Sequence, residues 1–558
     1  MVAYDYGCQR YQPNNKPLRP GEVSELRMMN RRFVSKSTPS LKPMSALLWI
    51  AALVPFIVYS AATRVYAQPS ATSPLSASGS LQTAVDGLIK TRKYNPAGLG
   101  VVVKDLSNDS VVVAVNPDMP MNPASVQKLI TGAAAFELLG PTYAFGTKIY
   151  IDGAFQADSG IVDGNLYIRG AGEPGINPEK LWLIVQHLRH RGVRRINGNI
   201  IIDNYFFDDV AVGPGFSEDE SRSYQSLISA LPVSYSSIAV HHRPGHQVGS
   251  PVFVDIFPKI EGVKVNATAV TVAGAKGHID VSTSLQNGVT QVNVKGTMGV
   301  EEPPGYAYRR MWQSWESFGG AFRAQCADNG IKITGRTMRQ KVPDTLAAKA
   351  PFYIYGGDPV TEFVKHMFKW SSNFIAEMLF KTMGAEKLGD PGTWPKGAAT
   401  VTAWWELRGL PGKPQIINGS GMGGERATPK GAEVDESVGA LAKIENAVSP
   451  AQIVELLSYV SKRKNYYPDY VSALSVSGVD GTLRSRFQRS KLKGLVRAKT
   501  GTLNSVKVST LAGYMFLDDR TYAFAVFCRN VGPNQYDNWI MQEQILETVA
   551  RNMGWDGR

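Results

Sequence analysis

NPASVQKLITGAAAFELLG (residues 122–140) joins a turn-forming Asn-Pro pair to a run with helical periodicity, and it opens that run with a serine and a lysine. Leu129, Ile130, Ala133, Ala134 and Leu138 recur on one face, so residues 124–139 read as a helix. Ser125 and Lys128 are offset by i, i+3 and share a helical face. A serine at a helix N-terminus sits among unpaired backbone N–H groups and the positive end of the dipole, where an oxyanion can be held. Serine attacks only when a neighbour takes its proton, and lysine can do so only when neutral. Neutrality requires burial or a second nearby cation.

Ser-x-x-Lys also occurs at Ser461/Lys464 and Ser490/Lys493, and chance alone supplies about two such pairs in a chain of this composition. Those two lie in SYVSKRKN and QRSKLKG, charged stretches that read as solvated surface. The second cation that a lysine base calls for is offered by Lys499-Thr500-Gly501, the single Lys-Thr/Ser-Gly in the chain, on or just after a strand. Its glycine would let a substrate approach a strand edge closely. Ser371-Ser372-Asn373 is the single Ser-x-Asn and opens a helical block.

Outward from these motifs, Leu81 to Ile89 has helical spacing, and Gly98 to Leu106 with Ser110 to Val115 forms a hairpin pattern around Asn108-Asp109. Residues 145–347 are rich in glycine and short strands (GNLYIRG, GNIIID, PVFVDIF, ATAVTVAG, TQVNVKG), with one helix near 179–190. Helical patterning resumes near 359–384. Strands follow at Val496 to Ala498, Ser509 to Leu517 and Thr521 to Cys528, and a helix at Asp537 to Met553 comes last. Helix and hairpin at the start, with strands and helix at the end, predict one domain built from both ends of the chain.

The 558 residues exceed one ordinary core, and 43% hydrophobic with 19% charged residues is a globular composition. The net charge of +13 includes +6 up to Ala67, from nine Lys/Arg against three Asp/Glu. The remainder is too dilute for a nucleic-acid binder and suits weak attraction to an anionic polymer such as a cell wall. Arg31, Arg32, Lys36 and Lys42 precede the apolar run ALLWIAALVPFIVYSAA (46–62), and Val65-Tyr66-Ala67 offers a small-x-small cleavage site. That order predicts a secretory signal cleaved near Ala67, and the run is at the short limit for a membrane anchor. Membrane association is expected to be weak at most. Cys8, Cys326 and Cys528 are the cysteines, and the last two read as separate buried residues.

Taken together in this order, Ser125-Val126-Gln127-Lys128, Ser371-Ser372-Asn373 and Lys499-Thr500-Gly501 resemble the three motifs of penicillin-recognising serine enzymes. The long β-rich stretch between the first two, with Gly170-Ala171-Gly172-Glu173-Pro174 and Ser475 to Leu483 (SVSGVDGTL), is similar to the D-alanyl-D-alanine carboxypeptidase/endopeptidase family, the class C low-molecular-mass penicillin-binding proteins. Phe322 to Val342 resembles that family's helix-strand that re-enters the catalytic domain, and the likeness spans about residues 81–555. The resemblance implies an α+β fold: a β-lactamase/transpeptidase-like catalytic domain, an antiparallel sheet flanked by helices, with a large mainly-β insertion. The expected layout is a leader at 1–67, a linker at 68–80, a catalytic domain from 81–144 and 348–558, and an insertion at 145–347 of two small subdomains.

The resemblance also implies roles. Lys128 takes the proton of Ser125, which attacks the carbonyl between two D-alanines, and the N–H groups of Ser125 and Thr502 hold the oxyanion. Ser371 passes the proton to the leaving amine, and Asn373 orients the substrate amide and Lys128. Lys499, Thr500 and Thr502 receive the terminal carboxylate. No metal or cofactor is required. The partners implied are peptidoglycan peptides ending in D-Ala-D-Ala and β-lactam antibiotics, in the periplasm.

Three other features are weaker. Gly419-Ser420-Gly421-Met422-Gly423-Gly424 matches Gly-x-Gly-x-x-Gly, but Pro429 follows and no clean helix opens there, so a dinucleotide site is disfavoured. The loop corresponds better to the family's Asp-Gly-Ser-Gly-Leu-Ser-Arg, with Asn418 in place of aspartate and Gly424 or Arg426 near the arginine, which leaves recognition of the diamino-acid carboxylate open. His241, His242 and His246 read as a solvated turn rather than a metal site. Cys528, on a strand, reads as core. The rival readings are a wall-binding module without turnover and a β-lactamase.

Overall fold

The computed structural model describes residues 79–423, 445–504, 507–531 and 534–555. The expected leader lies outside them, as do the linker up to residue 78 and Gly424 and Arg426.

Six antiparallel strands form the central sheet, in the order Ser475–Val476, Val496–Leu503, Val508–Leu517, Arg520–Arg529, Leu99–Asp105 and Ser110–Val115. Early and late chain meet in the middle, where Val101 pairs with Val526. Leu99–Asp105 is buried along its whole length. Its first five residues, Leu99 to Val103, are apolar without alternation because both sheet faces are covered, and only Lys104 and Asp105 at its end are charged. One face carries the helices Gly79–Thr91 and Gln535–Asn552, which contribute Leu81, Val85, Ile89, Met541, Ile545 and Val549. The other packs on helices that include Gln127–Leu138, Val360–Trp370, Asn373–Leu388 and Pro450–Ser461, around Leu129, Ile130, Phe368, Ile375, Leu379 and Leu457.

Two expected helices are broken where chemistry is expected. The 124–139 run is a 3-10 turn, Ala124–Val126, leading into the α-helix Gln127–Leu138. The 359–384 run is two helices separated at Ser371, which adopts a left-handed φ of 58°. That conformation is uncommon for a side-chain-bearing residue and reverses the chain in one step.

The insertion has its own core, with Ile149, Leu166, Ile184, Ile200, Val240, Val292 and Phe318. Its five-stranded sheet takes an edge strand, Tyr353–Pro359, that pairs with Ala144–Ile151, so the ladder bridges the outgoing and returning chain. Patterning gives one helix, near 179–190, and Pro178–His190 is joined by a second, Ser314–Asp328, of which the resemblance at Phe322 to Val342 implies only the later part. Gly319 and Gly320 in SWESFGGAFRAQCAD weaken its helical signal. They are needed for packing, since a Cβ at Gly319 would lie 2.4 Å from a Thr337 methyl and one at Gly320 2.4 Å from the Glu261 carbonyl oxygen. Cys326 and Cys528 are free buried thiols in separate cores. His241 and His242 sit on the strand Ser237–Arg243 rather than in a turn.

Candidate active site

Asn122 starts the local architecture. Its Oδ1 accepts the Ala124 N–H at 2.7 Å, holding a turn in which Ala124 has a φ of 47°. This strained residue delivers Ser125 to the mouth of the helix. Gly421 (φ 80°) packs against the same turn, and a Cβ there would lie 1.8 Å from the Ala124 carbonyl oxygen.

Lys128 is fully buried, and its Nζ lies 2.8 Å from Ser125 Oγ, 2.8 Å from Asn373 Oδ1 and 2.9 Å from the Ser420 carbonyl oxygen. Two of these partners only accept. A neutral amine therefore donates its two hydrogens to Asn373 and Ser420 and turns its lone pair to the Ser125 hydroxyl. Burial pulls Lys128 from its ordinary value down to about 7, while the Glu377 charge pulls the other way. The second cation expected from the sequence is present, but burial is what lowers Lys128, and the charge between the two lysines bears on Lys499. Lys499, also fully buried, is held well below its ordinary value, first by burial and then by the charge of Lys128. Its Nζ donates to Ser371 Oγ at 2.9 Å and to the Thr500 carbonyl at 2.7 Å.

The structure thus brings Ser125, Lys128, Ser371, Asn373 and Lys499 into one connected cluster. Thr500 donates its hydroxyl to Thr482 Oγ1 at 2.9 Å, and Thr502 lies two residues further along the same strand. Gly501 has a different reason from the one its motif suggested. A Cβ there would meet Thr510 Oγ1 at 2.1 Å and both the Pro123 carbonyl oxygen and the Ser125 nitrogen at 2.9 Å. The missing side chain seats the strand against the serine turn.

The motif reading missed Glu377. It lies one helical turn after Asn373, fully buried, and its carboxylate accepts from Trp394 Nε1 (2.8 Å), Gly419 N (3.1 Å) and Ser420 N (2.9 Å). It therefore shapes the glycine turn whose Ser420 carbonyl meets Lys128. Gly419 to Gly423 form a wall of this site. Asn418 keeps the turn closed, its Oδ1 accepting from Gly421 N and its Nδ2 donating to the Met422 carbonyl. The insertion also reaches the cluster: Asn373 Nδ2 donates to the Tyr224 carbonyl at 3.1 Å. Asp480, in the SVSGVDGTL segment, accepts from Lys369 Nζ at 2.6 Å and from Val476 N at 2.8 Å, tying that loop to the helix before Ser371. No group of three or more potential metal ligands occurs among the described residues.

A serine turn beneath an antiparallel sheet, with Ser-x-x-Lys, Ser-x-Asn and Lys-Thr-Gly converging on it, defines a penicillin-recognising serine enzyme fold. Residues 81–431 and 439–550 match the D-Ala-D-Ala carboxypeptidase 3 (S13) family, and the chain belongs to that family. It is 27% identical over 488 residues to a D-alanyl-D-alanine carboxypeptidase of Actinomadura sp. (strain R39), covering 85% of each chain. It is 24% identical over 444 residues to D-alanyl-D-alanine carboxypeptidase DacB of Haemophilus influenzae, covering 75% of this chain and 82% of that one. The crystal structure of penicillin binding protein 4 (dacB) from Haemophilus influenzae superimposes with a TM-score of 0.68 at 21% identity, over 84% of this chain and 98% of that one. The same protein complexed with a β-lactam gives 0.63. This likeness bears out the α+β, β-lactamase-like fold.

Proposed function

We propose that this chain is an exported serine-type D-alanyl-D-alanine carboxypeptidase that trims peptidoglycan stem peptides through a Ser125 acyl-enzyme, and that penicillins acylate the same serine. The observation that carries the reading is the buried Lys128 amine, 2.8 Å from Ser125 Oγ, with its other two partners both acceptors. Neutral Lys128 takes the Oγ proton as Oγ bonds to the carbonyl carbon between the two D-alanines. The N–H groups of Ser125 and Thr502 stabilise the oxyanion. Collapse breaks the C–N bond, and Ser371, hydrogen-bonded to Lys499, relays a proton to the leaving amine. Lys499, Thr500 and Thr502 receive the terminal carboxylate. Water then adds to the acyl carbon and returns the proton through Lys128, freeing Ser125. Glu377 is a positioning residue that fixes the Ser420 carbonyl against the base.

The same acyl-enzyme chemistry extends to DD-endopeptidase cleavage of crosslinks next to D-alanine. The basic segment before residue 46, the apolar run and the small-x-small site support export to the periplasm. Among the described residues no helix is long and apolar enough to cross a membrane.

The test is mass spectrometry of purified muropeptides, monomeric and crosslinked, after incubation with the enzyme, beside labelling by a fluorescent penicillin. Loss of one alanine from monomers and a covalent label that disappears in Ser125→Ala are expected. A label that survives Ser125→Ala, or no label in the parent, removes the acyl-enzyme reading. Rapid loss of the penicilloyl adduct would favour a β-lactamase instead.

A further inference from the structure

The insertion carries a three-stranded antiparallel sheet, Phe253–Phe257, Ser237–Arg243 and Gly305–Arg310 in that order. Its inner face packs Ile238, Val240, Val254, Ile256 and Ala307 onto the insertion core. The outer face of such a sheet is ordinarily polar. Here it holds Phe253, Phe257, Tyr306 and Tyr308, each 40–54% exposed. Register sets them in ranks: Phe253 beside Arg243, then Asp255, His241 and Tyr306, then Phe257, Ala239 and Tyr308. At the usual strand rise the ranks span ~13 Å, a flat strip rather than a pocket. Contiguous exposed aromatic surface of this kind marks a binding patch.

The polar residues between the rings narrow its partner. Arg243 lies 3.9 Å over the Phe253 ring, His241 sits against Tyr306, and Asp255 faces His241 from the neighbouring strand. Arg243 is balanced by Asp255, so the strip lacks the cation excess that nucleic acid or anionic lipid requires. Rings that offer apolar faces, interleaved with hydrogen-bonding groups at their edges, match a neutral polymer with the same two-sided chemistry, namely sugar rings with C–H faces and hydroxyl rims.

The strip is also wired to the catalytic cluster. Arg310, at the end of its edge strand, is 1% exposed and donates through Nη1 to the Ser217 and Gln225 carbonyls. Its N–H bonds the Ser221 carbonyl, and Arg222 bridges Arg309. The turn Ser223–Gln225 follows directly, and its Tyr224 carbonyl accepts from Asn373. Hydrogen bonds at both ends of the segment Ser221 to Gln225 thus link the aromatic sheet, through the backbone, to the residue that contacts Lys128.

We propose that this outer face, Phe253, Phe257, Tyr306 and Tyr308 with His241, Arg243 and Asp255, binds the glycan chain of the wall polymer while its stem peptide enters the catalytic cluster. The inference rests on the proposed wall-peptide activity for its choice of glycan, and its test is separable from that activity. Full-length Ser125→Ala protein is incubated with insoluble wall glycan stripped of peptides by an amidase, and the bound fraction is measured at low and high salt. The parent is expected to be retained with little salt dependence. Tyr306→Ala/Tyr308→Ala and Phe253→Ala/Phe257→Ala should each bind ~10-fold less or weaker, the scale of losing two aromatic anchors. Tyr536→Ala, an exposed aromatic outside the strip, should match the parent. In the Ser125 background each pair should leave kcat/KM on a soluble D-Ala-D-Ala peptide unchanged, which also shows that the variants fold. Failure of the parent to bind peptide-free glycan, equal binding by the paired variants, or binding abolished by salt would overturn the proposal. A soluble peptide left uncleaved by the parent would overturn the wall-peptide reading instead.

Discussion

Replacing Glu377 by glutamine removes one charge from the centre of the site and changes almost no volume. Ser420 alone separates that carboxylate from the base: its N–H bonds Glu377 at 2.9 Å and its carbonyl bonds Lys128 at 2.9 Å. Two charges on the order of 7 Å apart interact by about 2.4 kcal/mol at an effective dielectric constant of about 20. At about 1.4 kcal/mol per pH unit that is roughly 1.7 units. The Glu377 charge favours protonated Lys128, so its removal lowers the lysine's pKa. The base acts when neutral, so kcat/KM falls as pH drops through about 7 in the parent. In Glu377→Gln that acidic limb should move down by one to two units. Lys499 faces the same amine, and Lys381 and its partner Asp208 flank Glu377 on the far side, but the substitution leaves their charges in place. The plateau should also fall, by roughly tenfold, because a glutamine NH2 cannot accept from all three of the donors now satisfied. The assay is D-alanine release from a soluble D-Ala-D-Ala peptide across pH. A purely structural role would lower the plateau without moving the limb. A limb that stays put or moves upward refutes the electrostatic argument.

Lys128→Arg keeps the positive charge but cannot lose its proton near neutral pH, so no penicilloyl adduct should form by mass spectrometry; near-parent acylation would remove Lys128 as the base. Gly501→Ala pushes a methyl into Thr510 Oγ1 and the Ser125 turn and should cut kcat/KM by ~100-fold, whereas unchanged kinetics would contradict the seating of that strand. Glu173, fully buried, is raised from 4.5 to about 8 by burial, with Lys180 opposing and Asp358 adding to the rise. A raised folded value means that its contribution to stability is complete below about 4.5 and lost as pH climbs through about 8, so Glu173→Gln should flatten that decline in denaturant titrations. Gly132→Ala would set a methyl 2.5 Å from the Phe368 ring between two helices, and should cost ~1–3 kcal/mol of stability in the same titrations.

The parts of the fold that were legible in the sequence are those that one local pattern specifies. The hairpin around Asn108-Asp109, the late strands and the final helix all follow from periodicity and turn residues, and they meet as neighbouring layers of one domain. The first half of the insertion's second helix was hidden from patterning because Gly319-Gly320 serves close packing with Thr337 and Glu261, a constraint set by residues distant in sequence, and only its part from Phe322 was implied by the resemblance. The break at Ser371 was half legible. Ser371-Ser372-Asn373 opens a helical block in the pattern, but the preceding run is equally helical, and the left-handed turn that aims the Ser371 hydroxyl at Lys499 has no mark there.

The site divides along the same line. Ser125, Lys128, Ser371, Asn373 and Lys499 stood out because their roles are carried by side chains at fixed short spacings. Ser420 acts through its carbonyl and Tyr224 through its own, and a backbone atom leaves no trace in residue identity. Glu377 did leave one: it follows Asn373 by four residues and so shares its helical face, a carboxylate among apolar neighbours. The charge logic is where the structure altered the chemistry most. The sequence offered burial or a second cation as the cause of a neutral Lys128 and pointed to Lys499, yet both lysines are fully buried and burial penalises each ammonium first. Repulsion from Lys128 is a second penalty at Lys499, while at Lys128 the Glu377 carboxylate opposes the penalty of burial. A site with two buried amines and one such carboxylate is short of negative charge. On the proposed reading, a substrate whose terminal carboxylate lies beside Lys499 would supply it, and a Lys499 protonated by that contact would in turn disfavour protonation of the base.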